Sequence, residues 1–326
     1  MNRYYTPVEI PRLHVTIDYQ SRLMFMGSCF ADSIGGKFEE LKFSSEVNPF
    51  GVLFNPLSVA KALRHAMAAR EFEEKDLFVQ HGLYKSFDFH SQFAHAEASE
   101  ALERMNDAVM RAHNQLKDAD VLFITFGTAW VYELAESGEV VANCHKQIGD
   151  FFTRRRLKVA EIVSTWEKLL AELKAFNPTL QVIFTVSPIR HWKDGAHGNQ
   201  LSKSTLLLAV DELQHVQGRS YFPSYELVMD ELRDYRFYAA DMLHLSELAV
   251  NHIWEKVQKS LINPSVWLFM QRVARLNQAV QHRIFNPKSE EAAKFVAANQ
   301  KLIAELEAEF PKIDFKKEKI YFEHIQ

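Results

Sequence analysis

The fold is decided by residues 22–41, which read RLMFMGSCFADSIGGKFEEL. Arg22 to Met26 is predicted as a mostly apolar strand, and Gly27-Ser28 ends it. From Phe30 to Leu41 the apolar residues return at helical spacing. The stretch therefore predicts a buried strand, a sharp turn and an amphipathic helix, which is the repeating unit of a parallel sheet with crossover helices.

The same pattern recurs along the chain. Four further strands are predicted near Lys42 to Val47, Val121 to Phe126, Gln181 to Val186 and Ser220 to Phe222. Helical spacing is found at Ser99 to Leu116, Val159 to Phe176, Ser202 to Val216, Tyr225 to Leu232 and Ser246 to Leu261. We therefore predict an α/β domain with a parallel sheet of about five strands, whose carboxyl edge carries the ligand site.

The 326 residues divide into three segments. Residues 1–20 are predicted as an N-terminal arm that runs over the surface or adds an edge strand. Residues 21–262 form the α/β domain. Residues 263–326 are rich in Ala, Glu and Lys without a strand signal, and they predict a helical C-terminal extension.

Composition excludes several classes of protein. The 38 basic and 42 acidic residues give a net charge of −4, which provides no general positive field for nucleic acid. The longest apolar runs have strand length, so no membrane span is expected, and no apolar run near Met1 resembles a signal peptide, which favours the cytoplasm. Cys29 and Cys144 have no zinc-like spacing, and neither a metal nor a cofactor is expected.

Ser28 is the candidate nucleophile. It lies at a strand-to-helix turn, where its hydroxyl reaches the sheet edge and the helix N-terminus favours a developing oxyanion. The alternative is that Ser28 only caps the helix, a role that serine often has. Its neighbour Cys29 is either a second candidate nucleophile or, as we favour, a small buried apolar residue.

Asp241 and His244 are the candidate partners of Ser28. A carboxylate three residues before a histidine can hold Nδ1–H of the imidazole and leave Nε2 free to take a proton from a serine. The alternative is a surface histidine beside an unrelated acid. A serine and an Asp-x-x-His pair at opposite ends of an α/β chain together predict a Ser-His-Asp triad.

Several blocks of sequence carry a family resemblance. Gly27-Ser28-Cys29-Phe30-Ala31 resembles the motif that names the GSCFA family, and the likeness extends over roughly residues 20 to 260. The further blocks are Asn48 to Gly51, Thr125 to Trp130, Asn143 to Lys146, Thr185 to His191, Tyr221 to Pro223 and Asp230 to Tyr238. The family is similar to the SGNH/GDSL hydrolases, which implies a flavodoxin-like three-layer α/β/α fold and an esterase.

The resemblance also implies an oxyanion hole. Its backbone donors would be the N–H groups of Ser28 and Gly51. Ala129 occupies the position at which SGNH enzymes usually carry an asparagine, so a third donor must come from elsewhere. We expect His145 to supply it in preference to Thr128, because its side chain is longer and its loop can fold back over the third strand.

The remaining candidates are polar residues in loops that can reach a substrate. They are Asn48, Asn143, Arg190, His191 and His90. The alternatives are an ion pair for Arg190 and packing on the core for the loop that holds His90.

The sequence thus predicts a serine hydrolase that cleaves an acyl or acetyl ester, of a carbohydrate or a small metabolite. Two alternatives stay open. One is a non-catalytic protein that binds carbohydrate or another ligand on a degenerate SGNH fold, which Ala129 favours. The other is an O-acyltransferase, because a hydroxyl acceptor can resolve the same acyl-enzyme as water does.

Overall fold

Ten strands and ten helices build the part of the chain that a computed structural model describes, residues 6–10, 13–147 and 149–325. In chain order they are β1 (Arg22–Gly27), α1 (Cys29–Glu40), β2 (Ser44–Val47), α2 (Pro56–Met67), β3 (Phe78–Gln80), β4 (Leu83–Lys85), α3 (Ala98–Lys117), β5 (Val121–Phe126), β6 (Trp130–Leu134), β7 (Val140–Val141), β8 (Phe152–Arg156), α4 (Val159–Phe176), β9 (Gln181–Val186), α5 (Gly195–Gln214), β10 (Arg219–Tyr221), α6 (Ser224–Glu226), α7 (Glu247–Leu261), α8 (Trp267–Gln281), α9 (Glu290–Glu309) and α10 (Lys316–Glu323).

The central sheet is parallel throughout and has five strands in the order β2-β1-β5-β9-β10. All six residues of β5 are buried, because helices cover both faces of the sheet. The predicted α/β class and the parallel sheet of about five strands are confirmed. Since all five strands run the same way, their carboxyl ends meet at one edge.

Two small antiparallel units and one helix were not expected from the sequence. The hairpin β3-β4 and the three-stranded sheet β7-β6-β8 lie outside the central sheet. Helix α2 begins at Pro56, and the side chain of Asn55 caps it by accepting a hydrogen bond from the Ser58 N–H. Helix α5 begins at Gly195 instead of Ser202, and His197 lies in its first turn.

Each face of the sheet packs against its own helical layer. Helices α2 to α5 contribute to the core on one face, with Trp166 as its largest fully buried side chain. Helices α1, α7 and α8 share the core on the other face, and α9 and α10 continue it. Phe38 of α1 and Trp254 of α7 meet edge to face at 4.8 Å between ring centroids. The C-terminal helices therefore extend the layer that supports α1.

The N-terminal segment is more buried than predicted. Residues 1–5, 11 and 12 lie outside the described residues, but Leu13, Val15, Ile17 and Tyr19 are all buried. The N–H of Ile17 donates to the carbonyl of Leu261 at 2.8 Å. Alternating apolar residues give this segment one face to bury, and that face packs on the layer of α7 and α8 instead of running over the surface.

None of the helices described here is both long enough and apolar enough to cross a membrane.

Candidate active site

Ser28 lies directly after β1, at the carboxyl edge of the sheet. It is the N-cap of α1, and its hydroxyl oxygen accepts a long hydrogen bond of 3.4 Å from the Phe30 N–H. Gly27 precedes it with φ at +137°, and a methyl group there would lie 2.1 Å from the carbonyl oxygen of Thr125. Glycine is therefore required at 27 for β1 to pass β5 and turn into the helix.

Asn48 holds this turn in place. Its side-chain oxygen accepts a hydrogen bond of 2.8 Å from the Gly27 N–H, and its amide donates to the Asp32 carboxylate at 2.6 Å. Burial raises the pKa of Asp32, against the hydrogen bond from Asn48. The sequence indicated Asn48 as a substrate contact, but both ends of its side chain bind the protein, so the structure assigns it to the turn that carries Ser28.

Asp241 and His244 form the hydrogen bond that the Asp-x-x-His spacing predicts. Nδ1 of His244 lies 2.5 Å from Oδ2 of Asp241, and Oδ1 accepts the N–H groups of Leu243 and His244, both at 2.9 Å. The histidine hydrogen bond and then these N–H groups lower the pKa of Asp241 to about 2. The carboxylate therefore stays ionised and fixes the imidazole with Nε2 free.

A tight turn presents the pair to solvent. Tyr238 and Leu245 form an antiparallel bridge, the Ala239 N–H donates to the His244 carbonyl at 2.8 Å, and Met242 takes a left-handed φ of +59°. Both Asp241 and His244 are exposed. Among the described residues His244 is not hydrogen-bonded to Ser28. The Asp-His hydrogen bond of the predicted triad is therefore formed in this structure, and the Ser-His hydrogen bond is not.

His191 is the histidine next to Ser28. A methyl group on Gly127 would lie 3.1 Å from Cβ of Ser28 and 3.2 Å from Nε2 of His191, so only the space left by this glycine separates the two side chains. The His191 ring stands edge-on to Phe54 at 5.2 Å. Burial, and then the charges of Lys203, Arg154 and His244, lower the pKa of His191 to about 4, so its ring is neutral near pH 7.

Lys203 lies beneath this space and was not identified from the sequence. Its side chain is fully buried in α5, and Nζ donates to the carbonyl oxygens of Gly127 at 2.6 Å and Ser187 at 2.7 Å. Burial lowers its pKa from 10.5 to about 7. A signal was present, since Lys203 shares a helix face with Leu206 and Val210, both of which are buried.

The two predicted backbone donors of the oxyanion hole are occupied in this structure. The Ser28 N–H donates to the Thr125 carbonyl at 3.0 Å, and the Gly51 N–H donates to the Asn48 carbonyl at 2.7 Å. Gly51 has φ at +76° and packs against His90, whose Cβ would lie 2.2 Å from a methyl group at 51. Both N–H groups must leave these partners before they can bind an oxyanion.

The two predicted side-chain donors also have other partners. Nε2 of His145 donates to the Ser86 carbonyl at 2.8 Å, and Nδ1 accepts from the Ser91 hydroxyl at 3.2 Å. Burial, opposed by the Ser86 hydrogen bond, lowers the pKa of His145. The Thr128 hydroxyl lies 3.0 Å from the Ser202 hydroxyl. The expectation that His145 replaces the missing asparagine is corrected, because neither of its nitrogens is free.

Some of the loop residues predicted to contact substrate lie in one groove with a volume of about 610 Å³. They are His90, Asn143 and His191, and the predicted oxyanion donors Thr128 and His145 line the same groove. The side chain of Asn143 helps to shape its wall by donating to Ser91 and accepting the His145 N–H. Arg190 lies outside this groove, where Nη2 donates to the Tyr238 hydroxyl at 3.2 Å.

Comparison with known proteins gives a family but no curated relative. The sequence model of the GSCFA family matches residues 22–257, and that of the GSCFA domain protein, C-terminal domain, matches residues 273–325. No curated protein compared with the chain matches it. Among solved structures, an acetyl xylan esterase from the rumen bacterium Butyrivibrio proteoclasticus is similar, with 14% identity and a TM-score of 0.31. The alignment covers 64% of this chain and 56% of that one, so the chain spans little more than half of that enzyme. Because the first of these family models covers most of the sequence, the chain belongs to the GSCFA family.

Proposed function

We propose that the protein is a serine hydrolase that cleaves an acyl or acetyl ester, with Ser28 as nucleophile. The observation that carries the proposal is the closed Asp241–His244 pair on the same side of the molecule as a serine at a helix N-terminus. His191 connects the two: it adjoins Ser28, and its neighbour Arg190 donates to the hydroxyl of Tyr238, which forms a bridge with Leu245 next to His244.

In the reaction, Nε2 of His244 takes the Ser28 hydroxyl proton as the oxygen attacks the ester carbonyl. Asp241 stabilises the imidazolium that forms. His244 then returns the proton to the leaving alkoxide, and water resolves the acyl-enzyme. The exposed turn that carries Asp241 and His244 has to approach Ser28 for the first step, a movement of the kind that completes many active sites when substrate binds.

His191 is the side chain best placed to stabilise the tetrahedral oxyanion. Its imidazole is neutral, so one ring nitrogen is an N–H donor, and Nε2 borders the narrow gap between Gly127 and Ser28. Gly127 has no side chain to fill this gap. We therefore assign to His191 the role that an asparagine side chain has in SGNH enzymes, in place of His145 and Thr128.

A non-catalytic ligand-binding protein is the second candidate. It is favoured by the Ser28 and Gly51 N–H groups, which both bind protein carbonyls instead of pointing to a free acceptor. A binder has no need to release them, whereas a hydrolase must.

One experiment separates the two candidates. Purified protein is treated with a fluorophosphonate and assayed with p-nitrophenyl acetate, alongside Ser28→Ala and the matched neighbour Cys29→Ala. We expect labelling at Ser28, and loss of labelling with a decrease in kcat of roughly 10³-fold or more in Ser28→Ala only. Full activity in Ser28→Ala would refute the mechanism. A folded wild-type protein that neither labels nor hydrolyses would favour the binder.

A further inference from the structure

The groove beside the candidate nucleophile has an uneven charge. Its lining includes four cationic side chains, Lys85, Lys146, Arg154 and Lys193, against a single carboxylate, Asp194. That carboxylate pairs with Arg154, so these two charges offset each other and the three lysines remain as the excess. The protein as a whole carries a net charge of −4, so this concentration of positive charge is local.

The lysines of the groove are free of ion pairs. Among the described residues none of the salt bridges includes Lys85, Lys146 or Lys193. Lys85 binds only the neutral side-chain oxygen of Gln80, at 2.9 Å. Three ammonium groups thus face one groove without an anionic partner.

Aromatic rings hold two of the cations in place. The Arg154 guanidinium lies 4.5 Å from the ring centroid of Trp130 and 5.3 Å from that of Tyr132. Nζ of Lys193 lies 5.0 Å from the Tyr132 centroid and donates to its hydroxyl. Cations ordered in this way lose less conformational entropy when they bind an anion.

Two buried donors of the stacked pair Arg154 and Trp130 also lack an acceptor. They are Nε of Arg154 and the indole Nε1 of Trp130, neither of which has a hydrogen-bond partner in the described part of the protein. Buried polar atoms in native proteins are rarely left unpaired, and an exception often marks a place where a ligand completes the bonding. Oδ1 of Asp194 is a third buried atom here without a hydrogen bond, but it lies in the ion pair with Arg154. The two donors are therefore the groups that an acceptor from a ligand would complete.

The groove opens next to the site of the chemistry. Phe54, Thr128 and His191 line it, and the Phe54 carbonyl and His191 Nε2 border the gap between Gly127 and Ser28. A volume of about 610 Å³ holds a ligand of one or two sugar rings.

We propose that this groove binds an anionic substrate, an acyl ester that also carries a carboxylate or a phosphate group. The inference rests on the proposed function for the ester part of the substrate. The anion contacts Lys146, Lys193 and Arg154, and the ester carbonyl then lies between Ser28 and His191. Carboxylate and phosphate groups both bind lysine and arginine side chains as anions, and the experiment distinguishes the two.

The kinetic test uses three matched acetate esters, 3-acetoxybenzoate, 3-acetoxyphenyl phosphate and the neutral 3-acetoxybenzamide. The variants are Lys146→Glu and Lys193→Glu, with Lys301→Glu on α9 as an exposed control of equal charge change. At low ionic strength we expect wild type and control to favour at least one anionic ester by roughly tenfold or more in kcat/KM, and added salt to reduce the preference. Both groove variants should lose the preference, whereas Lys301→Glu should keep it.

Direct binding separates failure of this inference from failure of the proposed function. Ser28→Ala protein is titrated calorimetrically with digalacturonate and with glucose 1-phosphate, with and without Lys146→Glu. Binding of either probe that weakens roughly tenfold in the charge variant supports the groove, even if no ester is hydrolysed. Absence of binding by both probes, or equal kcat/KM for all three esters, overturns the inference while leaving ester hydrolysis by Ser28 intact.

Discussion

Nζ of Lys203 lies 2.6 Å from the carbonyl oxygen of Gly127, so a fully buried ammonium group anchors the glycine that borders both Ser28 and His191. Its second bond, to Ser187, reaches the end of the neighbouring strand β9. The lysine therefore joins the carboxyl ends of two central strands directly beneath the proposed site. It also places a positive charge near His191, which helps to keep that imidazole neutral.

Lys203→Met should destabilise the protein in a pH-dependent way. The variant leaves two buried carbonyls without a donor, which costs about 1–3 kcal/mol. The folded state holds the lysine proton more weakly than the unfolded state, because the pKa falls from 10.5 to about 7 on folding. The wild-type free energy of unfolding should therefore rise relative to that of Lys203→Met as the pH increases from about 7 towards 10.5. Urea unfolding of both proteins at pH 6 and pH 9 measures this, and a constant difference between them would contradict the assigned pKa.

His191→Ala should lower kcat without loss of fold. Removal of one oxyanion donor typically costs 10²- to 10³-fold in kcat, so we expect a decrease of roughly 10²-fold with little change in KM. His191→Gln, which keeps a donor, should recover part of the loss. The control is His197→Ala in the first turn of α5, which should retain full activity. Equal kcat for His191→Ala and wild type would exclude His191 from the oxyanion hole.

Gly127→Ala should block the space between Ser28 and His191. The added methyl group would contact Ser28, His191 and the Phe54 carbonyl at 3.1 to 3.2 Å. We expect kcat/KM to fall at least roughly tenfold, because the substrate carbonyl has to occupy this space. In the control, Gly36→Ala, the methyl group meets nothing within 4 Å, and about 0.5–1 kcal/mol of added helix stability is expected. Circular dichroism melting shows whether either variant changes the fold.

Asp241→Asn should reduce kcat by roughly 10³-fold, because an amide no longer fixes the tautomer of His244 or stabilises its cation. The control is Asp234→Asn, a carboxylate in the same exposed region that binds Arg236 instead of a histidine. The wild-type carboxylate, with a pKa of about 2, should not contribute to the acid limb of the pH–rate profile measured above pH 4. An acid limb above pH 4 that is caused by protonation of Asp241 would contradict the hydrogen bond between Asp241 and His244.

Local patterns in the sequence determined the five strands of the central sheet, the Ser28 turn and the Asp241–His244 pair. The apolar run of β5 is predicted and observed at the same residues, because a strand buried on both faces is apolar throughout. The Asp-x-x-His pair depends on residues three apart, so its hydrogen bond needs only one turn of chain. Helix α2 carried signals of the same local kind, Asn55 and Pro56, but they were not recognised.

The surroundings of the site were decided only by the tertiary structure. Lys203 is buried because α5 packs its face onto the ends of β9 and of β5, whose Gly127 is 76 residues away in sequence. His191, and not His145, faces Ser28, because Ser86 and Ser91 of a distant loop bind both nitrogens of His145. The unpaired cations of the groove come from segments that adjoin only in the fold. Periodicity reports which face of an element is apolar, whereas the partner of a single polar atom depends on contacts between distant segments, which no local pattern of residues encodes.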